Sequence, residues 1–146
     1  MARLQYIIIL LFILIGTYTF TINRDDYPNE WRTAEQDTIL DNWGMANREC
    51  VSYTAWKVYK TFHYEPIQLE DAKYWPSVAK FYKIPTGTIP KVHSVAISPL
   101  GRYGHSMWVE AVNRDGTIIV SQYNQKSDGK FSLSVRSTEG LTFIYF

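Results

Sequence analysis

Helical periodicity comes early in this chain, and strand periodicity follows it to the C-terminus. Four apolar residues recur at the spacing of one buried helical stripe and predict a helix over residues 50–62: Val51, Ala55, Val58 and Phe62. A shorter helix is predicted over residues 76–83. Five later stretches alternate apolar and polar residues and predict strands: residues 92–98, 105–112, 117–123, 131–136 and 141–146. This order predicts an α+β fold in which N-terminal helices pack on one antiparallel sheet of five to six strands.

The N-terminus carries an apolar run over residues 6–22, preceded by Arg3. A helix of that length spans roughly 25 Å, near the short limit for crossing a bilayer. We therefore predict an N-terminal hydrophobic helix within residues 1–22, either an uncleaved signal anchor or a cleaved signal peptide. The anchor is favoured because no clear small-residue cleavage site follows. With Arg3 on the cytoplasmic side, the rest of the chain is predicted to be extracytoplasmic, either membrane-anchored or secreted.

The remaining sequence predicts one domain behind a short connection. Residues 23–41 are polar with scattered apolar positions and are interpreted as a tether and lead-in, and residues 42–146 as the domain. The net charge is +1 and no basic stripe is present, which excludes a dedicated nucleic-acid binder. One cysteine and three widely spaced histidines do not fit a metal site, and no Gly-rich phosphate loop is present, so no cofactor is expected. We expect a monomer.

Cys50 is the only cysteine in the chain and lies at the start of the predicted helix. Backbone N–H groups and the helix dipole at that position favour a thiolate. In an exported domain a lone thiol cannot form an internal disulfide. Two interpretations remain open from the residues alone, namely a reactive nucleophile and a buried structural cysteine that behaves as a small apolar residue.

His105 opens one predicted strand, and two amide side chains, Gln122 and Asn124, end the next. A hairpin turn joins these strands, so His105 and Gln122 can be close in space. Strand alternation points Glu110 to the opposite face from His105. If the face that carries the amides packs against the helix, both amides would project towards His105.

These residue types suit amide hydrolysis by a thiol. A thiolate attacks the carbonyl, and an imidazole keeps the thiol ionised and then protonates the leaving amine. A third polar group holds the imidazole in the correct tautomer. His93 begins another strand and is a rival base. Three further residues are predicted to lie along a substrate groove: Trp43, Asn47 and Tyr103.

Five stretches carry a resemblance to a known family: residues 43–56, 94–97, 103–112, 115–118 and 120–124. In order and spacing they resemble the CHAP family, the cysteine- and histidine-dependent amidohydrolases and peptidases of bacterial cell walls. The resemblance implies a papain-like fold, with Cys50 as nucleophile and His105 as general base. The family's third polar residue, commonly a carboxylate, falls on Gln122, and its asparagine falls on Asn124. A glutamine there stabilises the imidazolium less than a carboxylate would.

The resemblance implies a peptidoglycan hydrolase that cuts cell-wall amide bonds, either as an N-acetylmuramoyl-L-alanine amidase or as a peptide endopeptidase. Its expected partners are bacterial peptidoglycan and, through residues 6–22, the membrane. Two alternatives remain. One is a non-catalytic wall-binding module that keeps the fold, and the other is a thiol amidase that acts on a different amide.

Overall fold

The computed structural model describes residues 25–66 and 71–146. The predicted hydrophobic helix of residues 6–22 lies outside the described residues. The predictions that it anchors the chain or is cleaved therefore also concern residues that are not described. Within the described ranges, no helix combines the length and the apolar character needed to cross a bilayer.

The secondary structure follows the predicted order of helices before strands. The helices are α1 (Asn29–Thr33), α2 (Cys50–Phe62) and α3 (Trp75–Phe81), with a 3-10 turn at Ala72–Tyr74. The strands are β1 (Thr86–Gly87), β2 (Val95–Ser98), β3 (His105–Val112), β4 (Ile118–Tyr123), β5 (Phe131–Arg136) and β6 (Thr142–Ile144). The helix predicted over residues 50–62 is found with the same bounds. The two-residue strand β1 was not predicted, because so short a stretch shows no alternation.

All paired strands run antiparallel in one six-stranded sheet with the order β1-β6-β2-β3-β4-β5. The α+β prediction is thereby confirmed. Helix α2 packs on the adjacent strands β3 and β4. Its inward residues Tyr53 and Val58 share a buried cluster with Trp108 and Tyr123 of the sheet. A second buried cluster covers the other face of the sheet: Ala96, Met107, Val109, Ile118, Val120 and Phe143.

Helix α2 does not pack on the face of the sheet that carries the amide side chain of Gln122. Helix α2 contacts alternate residues of β3, through a Thr54–Ser106 hydrogen bond of 2.9 Å and a Lys57–Glu110 ion pair of 3.2 Å. His105 therefore lies on the opposite face, as does Gln122. The prediction that Glu110 points away from His105 is correct. The condition that the amide-bearing face packs against the helix is not met.

Residues 25–41 are part of the folded domain, so the interpretation of this segment as a tether is wrong. Tyr27 and Trp31 are 2% and 4% exposed and belong to the main core cluster. Asp25 accepts a 2.6 Å hydrogen bond from the Tyr123 hydroxyl. The lead-in contains helix α1. The apolar residues of this segment, such as Tyr27 and Trp31, are too widely spaced in sequence for the pattern to indicate that they are buried.

Gly104 controls how the chain enters β3. Its φ is +72°, and a Cβ atom built there would lie 2.7 Å from the backbone nitrogen of Lys73 and 2.9 Å from the carbonyl oxygen of Ser98. Only glycine combines this left-handed conformation with so close an approach of neighbouring backbone. The 3-10 turn is held against this loop by a 3.0 Å hydrogen bond from the Lys73 N–H to the Tyr103 carbonyl.

Replacement of Gly104 by alanine is expected to reduce the free energy of unfolding by about 2–4 kcal/mol, since backbone strain and a backbone clash act together. Gly101→Ala is the matched control. Gly101 has φ +83° but has nothing within 4 Å of an added Cβ, so it should lose only about 1 kcal/mol. Urea unfolding of both variants measures the difference. Equal losses would contradict the close approach at Gly104.

Candidate active site

A groove of about 730 Å³ opens where the N-terminus of α2 meets the start of β3. Cys50 and His105 both line it. The other lining residues come from the lead-in loop, the 3-10 turn and the ends of the strands: Asp37, Met45, Ala46, Glu49, Val51, Asp71, Ala72, Tyr103, Gly104, Asn124 and Ser127. The two residues predicted as nucleophile and base are thus brought to one cavity, although 55 positions separate them in sequence.

Cys50 is the first residue of α2 and is only 8% exposed. Burial raises the pKa of its thiol, and the negative charge of Glu49 raises it further, although hydrogen bonding by Ser106 opposes both. The resting thiol is therefore protonated at neutral pH. This direction is opposite to the expectation that the helix start would favour a thiolate, and its main cause is desolvation of the sulfur.

His105 is held by Gln122. The imidazole Nε2 lies 2.9 Å from Gln122 Oε1, and an amide oxygen only accepts, so Nε2 carries the proton. Nδ1 is left as the basic nitrogen. Burial lowers the pKa of His105, and the positive charge of Arg136 lowers it further, whereas the hydrogen bond that His105 donates to Gln122 opposes both. The imidazole is consequently neutral at neutral pH.

Gln122 is itself fixed by a second hydrogen bond. It is completely buried, and its Nε2 donates to the Ser134 hydroxyl of β5 over 2.8 Å. The amide thereby has one rotamer in which Oε1 faces His105. Gln122 contacts the imidazole as the hairpin argument predicted.

Asn124 has a different place in the site. Its φ of +57° ends the strand alternation, and its Nδ2 lies 2.8 and 2.9 Å from the two carboxylate oxygens of Glu49. Its Oδ1 accepts a 2.8 Å hydrogen bond from the Gly129 N–H. Asn124 therefore lines the groove and clamps the residue before Cys50, whereas Gln122 alone of the two amides hydrogen-bonds His105.

The three residues predicted along the groove separate into two groups. Tyr103 lines the groove and is 56% exposed. Trp43 does not line it, because its ring packs against Trp31 and Tyr59. Asn47 does not line it either, since it is completely buried and its amide hydrogen-bonds four backbone groups.

His93, the rival base, lies away from the groove. It is exposed, has φ +66°, and stacks on the ring of Trp108 with 5.7 Å between centroids. Its ring does not line the cavity that holds the thiol. The geometry therefore leaves His105 as the imidazole that shares a cavity with Cys50.

The charged side chains among the described lining residues are all acidic, namely Asp37, Glu49 and Asp71. Burial raises the pKa of Glu49, and Asp37 raises it further against the hydrogen bonds from Asn124 and Gln36. Nothing in the sequence pattern indicated that these three acidic residues reach the same cavity. Among the described residues, no group of three potential ligands could hold a metal ion.

The role of Gln122 predicts a change in the titration of His105. In the variant Gln122→Glu, a carboxylate replaces the amide beside the imidazolium, which should raise the pKa of His105. NMR titration of the imidazole in a Cys50→Ala background measures this shift without interference from the thiol. His63 and His93, which do not line the groove, serve as internal references. An unchanged or lower pKa of His105 would contradict the contact.

The fold and groove define an α+β domain with a cysteine and a histidine in one open cavity. The chain belongs to the CHAP domain family, whose family model matches residues 40–124, more than half of the chain. The match begins after α1, although Tyr27 and Trp31 are part of the same core.

Several proteins of Staphylococcus aureus are similar to this chain. An N-acetylmuramoyl-L-alanine amidase domain-containing protein is 32% identical over 129 residues, which is 82% of this chain and 20% of that protein. The N-acetylmuramoyl-L-alanine amidase Sle1 of strain USA300 is 41% identical over 54 residues, covering 37% of this chain and 16% of Sle1.

A solved structure has the same fold. The crystal structure of an N-acetylmuramoyl-L-alanine amidase from Staphylococcus aureus matches with a TM-score of 0.62 and 29% identity, over 67% of this chain and 30% of that chain. The chain thus corresponds to less than a third of the length of each of these relatives.

Proposed function

We propose that this chain is a peptidoglycan hydrolase that cuts amide bonds of the bacterial cell wall through the thiol of Cys50. The observation that carries the proposal is the single groove lined by Cys50 and by His105, whose imidazole is oriented by Gln122. The names of the relatives support an amide of the wall as substrate.

The first step is a proton transfer within a neutral pair. His105 Nδ1 accepts the thiol proton of Cys50 as the sulfur attacks the substrate carbonyl carbon. The C=O π electrons move to oxygen, and the oxyanion faces N–H groups of the first turn of α2. These groups precede the first hydrogen bond of that helix, from the Tyr53 N–H to the Glu49 carbonyl.

The second half returns the enzyme to its starting state. The imidazolium gives its proton to the leaving amine as the C–N bond breaks, which leaves a thioester on Cys50. Water then attacks the thioester carbonyl while Nδ1 of His105 accepts a water proton. The C–S bond breaks, the proton goes back to sulfur, and a carboxylic acid is released.

A neutral resting pair has a definite pH dependence. Because burial lowers the pKa of His105, the base form persists in more acidic solution than for an ordinary histidine. Because burial raises the pKa of Cys50, the thiol keeps its proton in more alkaline solution than an ordinary thiol. We therefore expect kcat/KM to be level across neutral pH. It should fall below about pH 6.5, where His105 becomes protonated, and should depart from the plateau above about pH 8.5, where the thiol of Cys50 loses its proton. Initial rates on a soluble muropeptide measure this profile, and an acid limb at or above the ordinary histidine value would contradict it.

The bond between N-acetylmuramic acid and L-alanine is the first candidate for cleavage. Both named relatives and the solved structure are described by that amidase activity. A peptide endopeptidase activity on stem or cross-bridge peptides is the other outcome, because the same thiol chemistry serves either amide. Action on the wall would put the domain outside the cytoplasmic membrane, in keeping with the predicted hydrophobic segment of residues 6–22.

A non-catalytic wall-binding module is the second candidate. It is favoured by one observation: among the described residues, the imidazole of His105 hydrogen-bonds the amide of Gln122 and no carboxylate. Thiol labelling at mildly acidic pH does not separate the two candidates, because even a catalytic neutral pair would label slowly there. Substrate turnover does separate them.

Mass spectrometry of purified peptidoglycan digested by the full chain tests the proposal. An amidase releases stem peptides with a free N-terminal L-alanine, whereas an endopeptidase leaves the muramoyl–alanine bond intact and shortens or separates the peptides. The Cys50→Ala variant provides the blank. Absence of new amino termini with the unaltered chain, together with retained binding to the wall, would favour the binding module instead.

A further inference from the structure

The side chain of Glu49 is held at the groove by two neutral amides. Gln36 Nε2 donates to its Oε1 over 2.8 Å, and Asn124 Nδ2 lies 2.8 Å from Oε1 and 2.9 Å from Oε2. Gln36 belongs to the lead-in segment and Asn124 follows β4, so two separate parts of the fold fix one carboxylate. Glu49 precedes Cys50 in the chain, and both residues line the groove.

The chain supplies this carboxylate with no counter-ion. Among the described residues, no cation forms an ion pair with Glu49. Arg48 adjoins Glu49 in sequence, but its guanidinium donates to the carbonyls of Gly129 and Ala34, over 2.8 and 3.2 Å, and does not line the groove. The negative charge of Glu49 therefore faces the groove without compensation.

This charge opposes the proposed chemistry as long as the groove is empty. Burial is the main cause of the raised pKa of the Cys50 thiol, and the charge of Glu49 raises it further. Asp37 and Asp71 add charge of the same sign to the lining. A cation bound beside Glu49 would favour both the carboxylate and the thiolate, because opposite charges attract strongly in a partly buried site.

The carboxylate retains an acceptor position for such a cation. Its Oε1 accepts from two amides, whereas its Oε2 accepts from one, so Oε2 is able to accept one more hydrogen bond. A substrate ammonium group is a strong donor to a carboxylate oxygen of this kind.

We propose that Glu49 is a specificity-determining residue that binds an ammonium group of the substrate, so that the groove favours amide substrates with a free amine. The inference deepens the proposed function and rests on it for the amide that is cut. The groove is a substrate site on independent grounds, because it holds the thiol of Cys50 and the imidazole of His105. Among wall peptides, those whose side-chain amine is not cross-linked are favoured, since cross-linking turns that amine into a neutral amide.

A pair of soluble compounds tests the proposal: N-acetylmuramoyl-L-alanyl-D-isoglutamyl-L-lysine, and the same compound with its lysine amine acetylated. The full chain should cut the free-amine compound with a kcat/KM about tenfold higher, the scale of one hydrogen bond to a charged group. Added salt should reduce this preference by screening the charges, whereas a steric effect of the acetyl group would not respond to salt. In Glu49→Gln the two compounds should be cut with kcat/KM values within about twofold of each other.

Asp37→Asn is the second variant and decides the question if Glu49→Gln does not fold. Asp37 lines the same groove, is exposed and has φ +62°, a conformation that asparagine tolerates. Its replacement should reduce the preference about twofold, because it removes charge from the lining without touching the clamp on Glu49. Glu30→Gln is the matched control. Glu30 is an exposed carboxylate of α1 outside the groove, so the preference should remain.

Equal kcat/KM values for the two compounds in the unaltered chain would overturn the proposal, and so would an undiminished preference in the folded variants. That result leaves the proposed function intact, since both compounds are still cut. If neither compound is cut, the proposed function fails, and calorimetric binding of both compounds to Cys50→Ala decides the inference. About tenfold tighter binding of the free-amine compound would support it, and equal or undetectable binding of the two would refute it.

Discussion

Replacement of His105 by alanine is expected to lower the rate of peptidoglycan cleavage about a thousandfold. In the proposed mechanism the imidazole takes the thiol proton and later protonates the leaving amine, and general acid–base catalysis of this kind contributes roughly 10²- to 10⁴-fold. The proposed neutral pair makes the dependence strong, because burial raises the pKa of the thiol and Nδ1 is the base to which the mechanism transfers its proton. Cys50→Ala should remove the activity entirely, since no thioester can form.

His93→Ala is the matched control for His105. His93 is also a histidine near the start of the sheet, but it is exposed and stacks on Trp108 outside the groove. Its removal should leave the cleavage rate within about twofold. Release of soluble muropeptides from purified walls, followed for equal amounts of folded protein, measures all three variants. A His105→Ala enzyme as active as His93→Ala would show that the groove is not the catalytic centre.

The parts of the site that follow from local patterns were predictable from the sequence. The helical stripe gave the bounds of α2 and put Cys50 at its start, because apolar spacing reports directly on a buried helix face. Strand alternation and the hairpin between β3 and β4 made His105 and Gln122 neighbours on one face. Their 2.9 Å hydrogen bond has that origin.

The parts that depend on tertiary packing were not predictable. Alternation indicates that two residues share a face, but not which face the helix covers, so the packing of α2 on the Ser106 side required the structure. The pKa of Cys50 is raised mainly by burial, and the depth of burial follows from tertiary packing rather than from the local sequence. Asn124 likewise departs from the strand alternation because its backbone is in a left-handed conformation. Asparagine tolerates this conformation, but the neighbouring sequence does not predict it.

Asn47 shows most clearly how a polar residue near a nucleophile can be misinterpreted. It lies three positions before Cys50 and was predicted as a groove residue. In the structure the helix is preceded by Glu49, and the Asn47 side chain points into the lead-in segment instead. Its Oδ1 accepts from the N–H groups of Thr38 and Ile39, both over 3.1 Å. Its Nδ2 donates to the carbonyls of Trp31 and Glu35 over 2.9 and 3.0 Å.

Replacement of Asn47 by alanine is therefore expected to reduce the free energy of unfolding by about 3–5 kcal/mol. Four hydrogen bonds are lost together, and the carbonyl of the buried Trp31 is left without its amide donor, which adds the desolvation penalty of an unsatisfied group. The lead-in segment supplies Tyr27 and Trp31 to the core, so its release should weaken the whole domain. Urea unfolding followed by tryptophan fluorescence measures the loss.

Asn42→Ala is the matched control, because Asn42 is an exposed asparagine in the same loop and the variant should lose less than about 0.5 kcal/mol of the free energy of unfolding.

The same pair of variants distinguishes a structural from a substrate-binding role for Asn47. Well below its unfolding transition, Asn47→Ala should keep a KM for soluble muropeptides within about twofold of the unaltered enzyme, since its side chain does not reach the groove. A large rise in KM with unchanged stability would instead put Asn47 in contact with substrate. A side chain whose sole role is to tie the lead-in segment to the domain can affect binding only by loosening the fold.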